Sequence, residues 1–279
     1  MRLRGVRGSR NVEDRRGRRR VAAGAGGIGV GGLLLLLIIG AVFGVDMSQL
    51  LEDPGGGVES SAQISEADQQ AAEFSSRVLA TTEDVWSAIF EDQLGRSYTP
   101  PTLVLFSRVT QSPCGGASGA TGPFYCPVDR KAYLDTDFFA TLSRRLGAGG
   151  DFAAAYVIAH EVAHHVQNEL GILGQVNDLR QRVSQVQANA LTVRLELQAD
   201  CLSGVWARSV QGLMERGDLE EALNAARMIG DDRLQRQAGQ IPRPHTFTHG
   251  TSAQRSAWFE RGYDSGSLAD CDTFSAERL

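Results

Sequence analysis

Between Val21 and Val45 the chain carries no charged side chain, and this stretch includes the apolar run Leu33–Leu37 followed by Ile38 and Ile39. About 20 apolar residues suffice to cross a bilayer, so the pattern predicts a transmembrane anchor over 21–45. Residues 46–64, with Pro54, Gly55–Gly57 and several serines, read as a flexible tether. Apolar positions then recur at helical spacing from Glu66 to about Asp92. A break near Thr81-Thr82 is expected, with Thr82 capping a second segment. Thr102–Phe106 is a short β-rich run after Pro100-Pro101. A Gly-rich loop over 109–122 follows. Two more short strands come next, Phe124–Cys126 and Ala132–Leu134, with a turn at Pro127–Asp129. From Asp137 onward almost everything reads as helix. The fold class is α+β, predominantly helical, with a small sheet. The domain division is 1–20, 21–45, 46–64 and 65–279.

Charge refines the first two segments. The net charge is −5, yet the first 20 residues hold nine arginines against Glu13 and Asp14. The rest of the chain is strongly acidic, which argues against nucleic acid as a partner, because neutralising phosphates needs a basic face. An arginine-rich flank before an apolar span is expected to stay in the cytoplasm. That orientation makes the protein a single-pass protein of the bacterial cytoplasmic membrane, its body periplasmic or extracellular. A cleaved signal peptide is the alternative, but Ala41-Val42-Phe43-Gly44 matches a small-x-small cleavage site poorly.

Four cysteines suit an oxidising compartment. Of the three possible pairings, proximity in sequence favours Cys114–Cys126, leaving Cys201–Cys271.

The chemistry concentrates in the helix after Gly149-Gly150. Asp151 is its expected N-cap and Gly171 its stop. The segment is apolar nearly all round before His160, so it should be buried. In His160-Glu-Val-Ala-His164, two histidines four apart project from one helical face and can share one ion. Glu161 is the candidate general base, later acid. A catalytic zinc takes three protein ligands and leaves one position open. The third candidate is Glu196, on a core helix. Asp200, one turn on, can accept a hydrogen bond from the His160 imidazole and fix its tautomer. Two imidazoles and a carboxylate suit Zn2+. His165 lies about 100° around the helix from His164 and is expected outside the ligand set. The alternative for the motif is a histidine pair on a solvated surface.

The pair His-Glu-x-x-His and Glu-x-x-x-Asp resembles the gluzincin arrangement of zinc peptidases. Several stretches resemble more closely the bacterial family called putative neutral zinc metallopeptidases. They are Gly122–Pro127, Asp151–Glu161, Glu196–Cys201, Phe247–Ser252 and Cys271–Phe274. The likeness implies a zincin-like domain that acts on protein or peptide substrates, and says little about which. One departure is Ala163, where zincin helices often carry glycine.

Zinc peptidases usually supply a donor to the oxyanion of the tetrahedral intermediate. His249, in a loop before a helix that Thr251 can cap, is the candidate; His245 is the weaker one. Tyr125 and Tyr133 read as core, although in zincins an edge strand at this place pairs with extended substrate. Asp231-Asp232 after Gly230 reads as a helix cap. The leading function is membrane-anchored, zinc-dependent peptide hydrolysis with Glu161 as base. The alternative is a membrane-anchored binding or scaffold protein whose zinc is non-catalytic.

Overall fold

The computed structural model describes residues 1–17, 64–118, 122–144 and 147–279. The element order is β1 (Val12–Asp14), α1 (Glu66–Leu94), β2 (Thr102–Phe106), β3 (Val109–Ser112), β4 (Gly115–Ser118), β5 (Phe124–Cys126) and β6 (Lys131–Asp135). Then follow α2 (Phe138–Arg144), α3 (Asp151–Glu169), α4 (Ile172–Arg180), α5 (Gln185–Ser209), α6 (Asp218–Met228), α7 (Asp231–Gln237) and α8 (Ser252–Ser265). The chain is a helix-rich α+β fold with a small sheet, as its patterning predicts.

The main sheet has the order β1-β2-β6-β5. β1 and β6 run parallel to β2, and β5 closes one edge antiparallel to β6. β2 and β6 are largely buried; β2 packs against α1, and β5 and β6 pack against α3. β3 and β4 form a separate antiparallel ribbon where a loop is expected. The Cys114–Cys126 disulfide ties that ribbon to β5, and Cys201–Cys271 ties α5 to the last turn, both as the spacing favours.

Three local expectations change. First, α1 runs unbroken through Thr81 and Thr82. Their hydroxyls donate back to the carbonyls of Val78 (2.6 Å) and Leu79 (2.7 Å), so neither is spent on capping a new start. Second, the N-cap of α3 is Gly150 at φ 116°, one residue before the expected Asp151. Glu221 on α6 caps that end from outside, accepting the Phe152 N–H at 3.1 Å. Third, residues 1–17 are not a separate charged flank. Met1 and Leu3 are buried in the main core, and β1 supplies an outer strand of the sheet. Arginines of this segment are held in ion pairs, one of them with the body and two within the segment. Arg7 pairs with Glu83 and Asp84, Arg15 with Glu13, and Arg16 with Asp14.

The anchor expected over 21–45 lies outside the described residues. Among the described residues no helix is long and apolar enough to cross a membrane.

α3 is the centre of the molecule. Phe152 to Ala163 are buried apart from Glu161, which is partly exposed. α5 crosses it and is in turn clamped by α8. At that second crossing a β-carbon on Gly204 would overlap the Phe259 carbonyl, and one on Gly262 would overlap the Cys201 carbonyl. Only glycine lets the two backbones touch there. The clamp fixes how far α5 stands from α3, and hence where Glu196 and Asp200 point.

Candidate metal centre

His160 and His164 sit one turn apart on α3, and Glu196 comes from the facing side of α5. Nε2 of His160 lies 3.1 Å from Oε2 of Glu196, and Nε2 of His164 lies 3.5 Å from Oε1. One ligand atom from each residue falls within 4.8 Å of the others. Tetrahedral zinc with bonds of about 2.0–2.1 Å to nitrogen and oxygen needs ligand atoms about 3.3 Å apart, so this donor set fits the ion. His160 is buried, while His164 and Glu196 are each 13% exposed, so the centre opens toward solvent on one side.

Each imidazole is held from behind. Nδ1 of His160 approaches Asp200 Oδ1 at 3.0 Å, off the line of an ideal hydrogen bond. Nδ1 of His164 lies 2.8 Å from Gln167 Oε1, and the Gln167 amide donates to Leu195 O and Gln198 Oε1. Asp200 is itself fully buried. Arg255 of α8 grips it with Nε at 2.9 Å from Oδ2 and Nη2 at 3.0 Å from Oδ1, and the Tyr156 hydroxyl donates to Oδ1 at 2.5 Å. Burial works against the charged carboxylate, but Arg255 and His160 outweigh it and keep Asp200 below its ordinary range.

Glu161 follows His160 directly on α3 and lies within electrostatic reach of His164, His160 and Glu196. Burial raises its carboxyl above the usual carboxylate range, and the neighbouring His164 and His160 pull it back. A carboxylate made more basic by burial is suited to taking a proton.

His249 approaches from the loop before α8. Its backbone N–H and those of Thr248 and Gly250 all donate to Asp231 Oδ2, at 2.6, 2.7 and 3.0 Å, and its Nδ1 lies 3.3 Å from Asp231 Oδ1. Partial burial lowers the imidazole's affinity for a proton. Asp231 and the nearby Glu196 more than offset that, leaving it raised. Glu196 is thus near enough to His249 to act on its charge.

The remaining candidates go elsewhere. His165 lies outside the ligand cluster, fully buried between the Tyr125 hydroxyl (2.9 Å) and the Thr99 carbonyl (2.7 Å). His245 is exposed. Tyr133 is core, stacked on Phe124. Asp231 does not cap α7, whose N-cap is Gly230; it is the first residue of that helix and its carboxylate serves the His249 loop. Sequence reading misses Tyr156, Gln167, Asp231 and Arg255 as supports. The first two were within reach, since Tyr156 is four residues before His160 and Gln167 three after His164, both on the ligand face. Arg255 carries no such signal.

Comparison with known sequences decides the family. Residues 1–274 match the family described as Putative neutral zinc metallopeptidase. The chain belongs to this family. A relative from Escherichia coli K12, named Uncharacterized protein YpfJ, is 49% identical over 98% of this chain and 99% of its own length. Uncharacterized protein Rv2575 of Mycobacterium tuberculosis H37Rv is 45% identical over 73% of this chain and 71% of its own. No solved structure matches. The family match begins at residue 1 and so includes the N-terminal segment.

Proposed function

We propose that this family member is a zinc-dependent peptidase, with zinc held by His160, His164 and Glu196. The observation that carries the reading is the convergence of those three donors, with Glu161 next to His160 in the chain and within electrostatic reach of His164 and Glu196. When bound, zinc supplies a Lewis acid that polarises the scissile carbonyl and makes water acidic. Glu161 takes the proton from the attacking water and delivers it to the leaving amine. His249, oriented by Asp231, donates to the carbonyl oxygen as charge develops there. Asp200 and Gln167 hold the two imidazoles so that their Nε2 atoms face the ion. β5, at the sheet edge beside α3, offers backbone groups for an extended peptide to pair with.

A closed, purely structural zinc would want a fourth protein ligand. Among the described residues the cluster has three, and His165 is engaged by Tyr125 and Thr99. Membrane attachment through residues 21–45 belongs to the proposal on the strength of their uncharged composition, and a body outside the cytoplasm on the strength of two disulfides.

The test is metal analysis with a protein-substrate screen on wild type beside Glu161→Gln. Stoichiometric zinc in both and cleavage only by the wild type is expected. Zinc in both and equal cleavage would remove Glu161 from the mechanism, and no cleavage by either would favour the scaffold reading.

A further inference from the structure

The N-terminal segment raises a question of topology. β1 pairs with β2 in a parallel register, Val12 with Leu103 through Asp14 with Leu105. Backbone bonds continue on both flanks, Leu103 N to Asn11 O and Arg15 N to Leu105 O, each 2.8 Å. Without β1, the apolar β2 would be a bare sheet edge, which folded proteins avoid. Glu83, buried on α1, takes its side-chain partners from this segment: Arg7 Nη1 at 2.9 Å, Asn11 Nδ2 at 2.8 Å and the Ser9 hydroxyl. Lys131 of β6 reaches Glu13 at 2.7 Å.

The two ends of the intervening stretch meet. A β-carbon on Gly17 would stand 3.8 Å from Cδ1 of Ile64, and Arg16 donates to the Asp68 carbonyl in the first turn of α1. One crossing between Gly17 and Ile64 would set these neighbours on opposite sides of about 30 Å of hydrocarbon. A second, returning crossing would have to use residues 46–63, which include Asp46, Glu52, Asp53, Pro54 and Glu59. Such a stretch is too acidic to span.

We infer that residues 1–17 are an integral layer of the zinc-binding domain and lie on the same side of any membrane as residues 64–279. That placement is at odds with the single-pass orientation expected from the arginine flank, which puts residues 1–20 and the body on opposite sides. The positive-inside argument also weakens, since Arg7 is committed to Glu83 and Asp84 of the body. This inference does not depend on the peptidase reading.

Membrane-impermeant maleimide labelling of the full chain tests it, with the native cysteines left in their disulfides. Single reporters are Arg10→Cys in the segment and Ile241→Cys in the body, both exposed positions. The two are expected to label together, either both before permeabilisation or both only after it. Labelling of one before and the other only after would overturn the inference. A second variant, Arg7→Cys with Asp84→Cys, reads docking directly. A short bis-maleimide is expected to bridge the two within one chain, whereas no bridge, or a bridge only between chains, would overturn the integral-layer assignment.

Discussion

Arg255 and Asp200 form a fully buried ion pair, two nitrogens to two oxygens at 2.9 and 3.0 Å, directly behind His160. The pair links α8 to α5 and, through Asp200, to the metal-facing histidine of α3. Removing one partner leaves the other charge buried without its counter-ion. Arg255→Leu is therefore expected to cost about 3–5 kcal/mol of stability, read by urea denaturation of the metal-free protein. Asp200→Asn should instead lower zinc affinity by about 10–100-fold, read by competition with a chelating dye. An Arg255→Leu protein as stable as wild type would show that the pair is not what holds the two helices.

Glu161→Gln keeps shape and removes the base. Zinc content should be unchanged, and turnover should fall by on the order of 10²–10⁴-fold. Zinc analysis alongside steady-state kinetics on one cleaved protein substrate checks both halves.

Asp231 orients His249 and raises its proton affinity. In Asp231→Asn the imidazole should lose its proton at lower pH, so the alkaline limb of the kcat/KM profile moves toward acid. His249→Ala should lower kcat by on the order of 10²–10³-fold with little change in KM, as expected for a donor used in the transition state. If KM rises instead while kcat holds, His249 binds substrate and does not stabilise the oxyanion.

Hydrogen bonds from Arg15 and Lys131 hold the Glu13 carboxyl down at about 2, against an ordinary 4.5. A depressed carboxylate contributes stability above its unfolded value and loses it as pH falls through the folded one. Docking of β1 should therefore weaken between about pH 4.5 and 2. Glu13→Gln should flatten that part of the stability profile, measured by thermal melts across the acid range. An unchanged acid slope in the variant would mean other carboxylates control it.

Much of the centre was legible because helical spacing is short-range. His160, Glu161 and His164 declare themselves within five residues, and the apolar run before them announces burial. Glu196 and Asp200 could be read as one turn of a core helix that needs a cation. Arg255 could not, because its partner is 55 residues away and only the packing of α8 on α5 brings them together. The strands at Thr102–Phe106 and Phe124–Cys126 were readable from their apolar runs. β1 was not, since three residues amid arginines carry no alternation and gain their strand character only from the edge of β2.

Cys201 follows Asp200 directly, and its bond to Cys271 spans 70 residues of sequence. No cysteine belongs to the metal centre, yet the backbone beside the His160 support is covalently moored to the chain's last turn. The redox history of a preparation thus becomes a hidden variable. Material made in a reducing cytoplasm and material made in an oxidising one can have the same mass within four hydrogen atoms, while differing in how firmly α5 is held against α3.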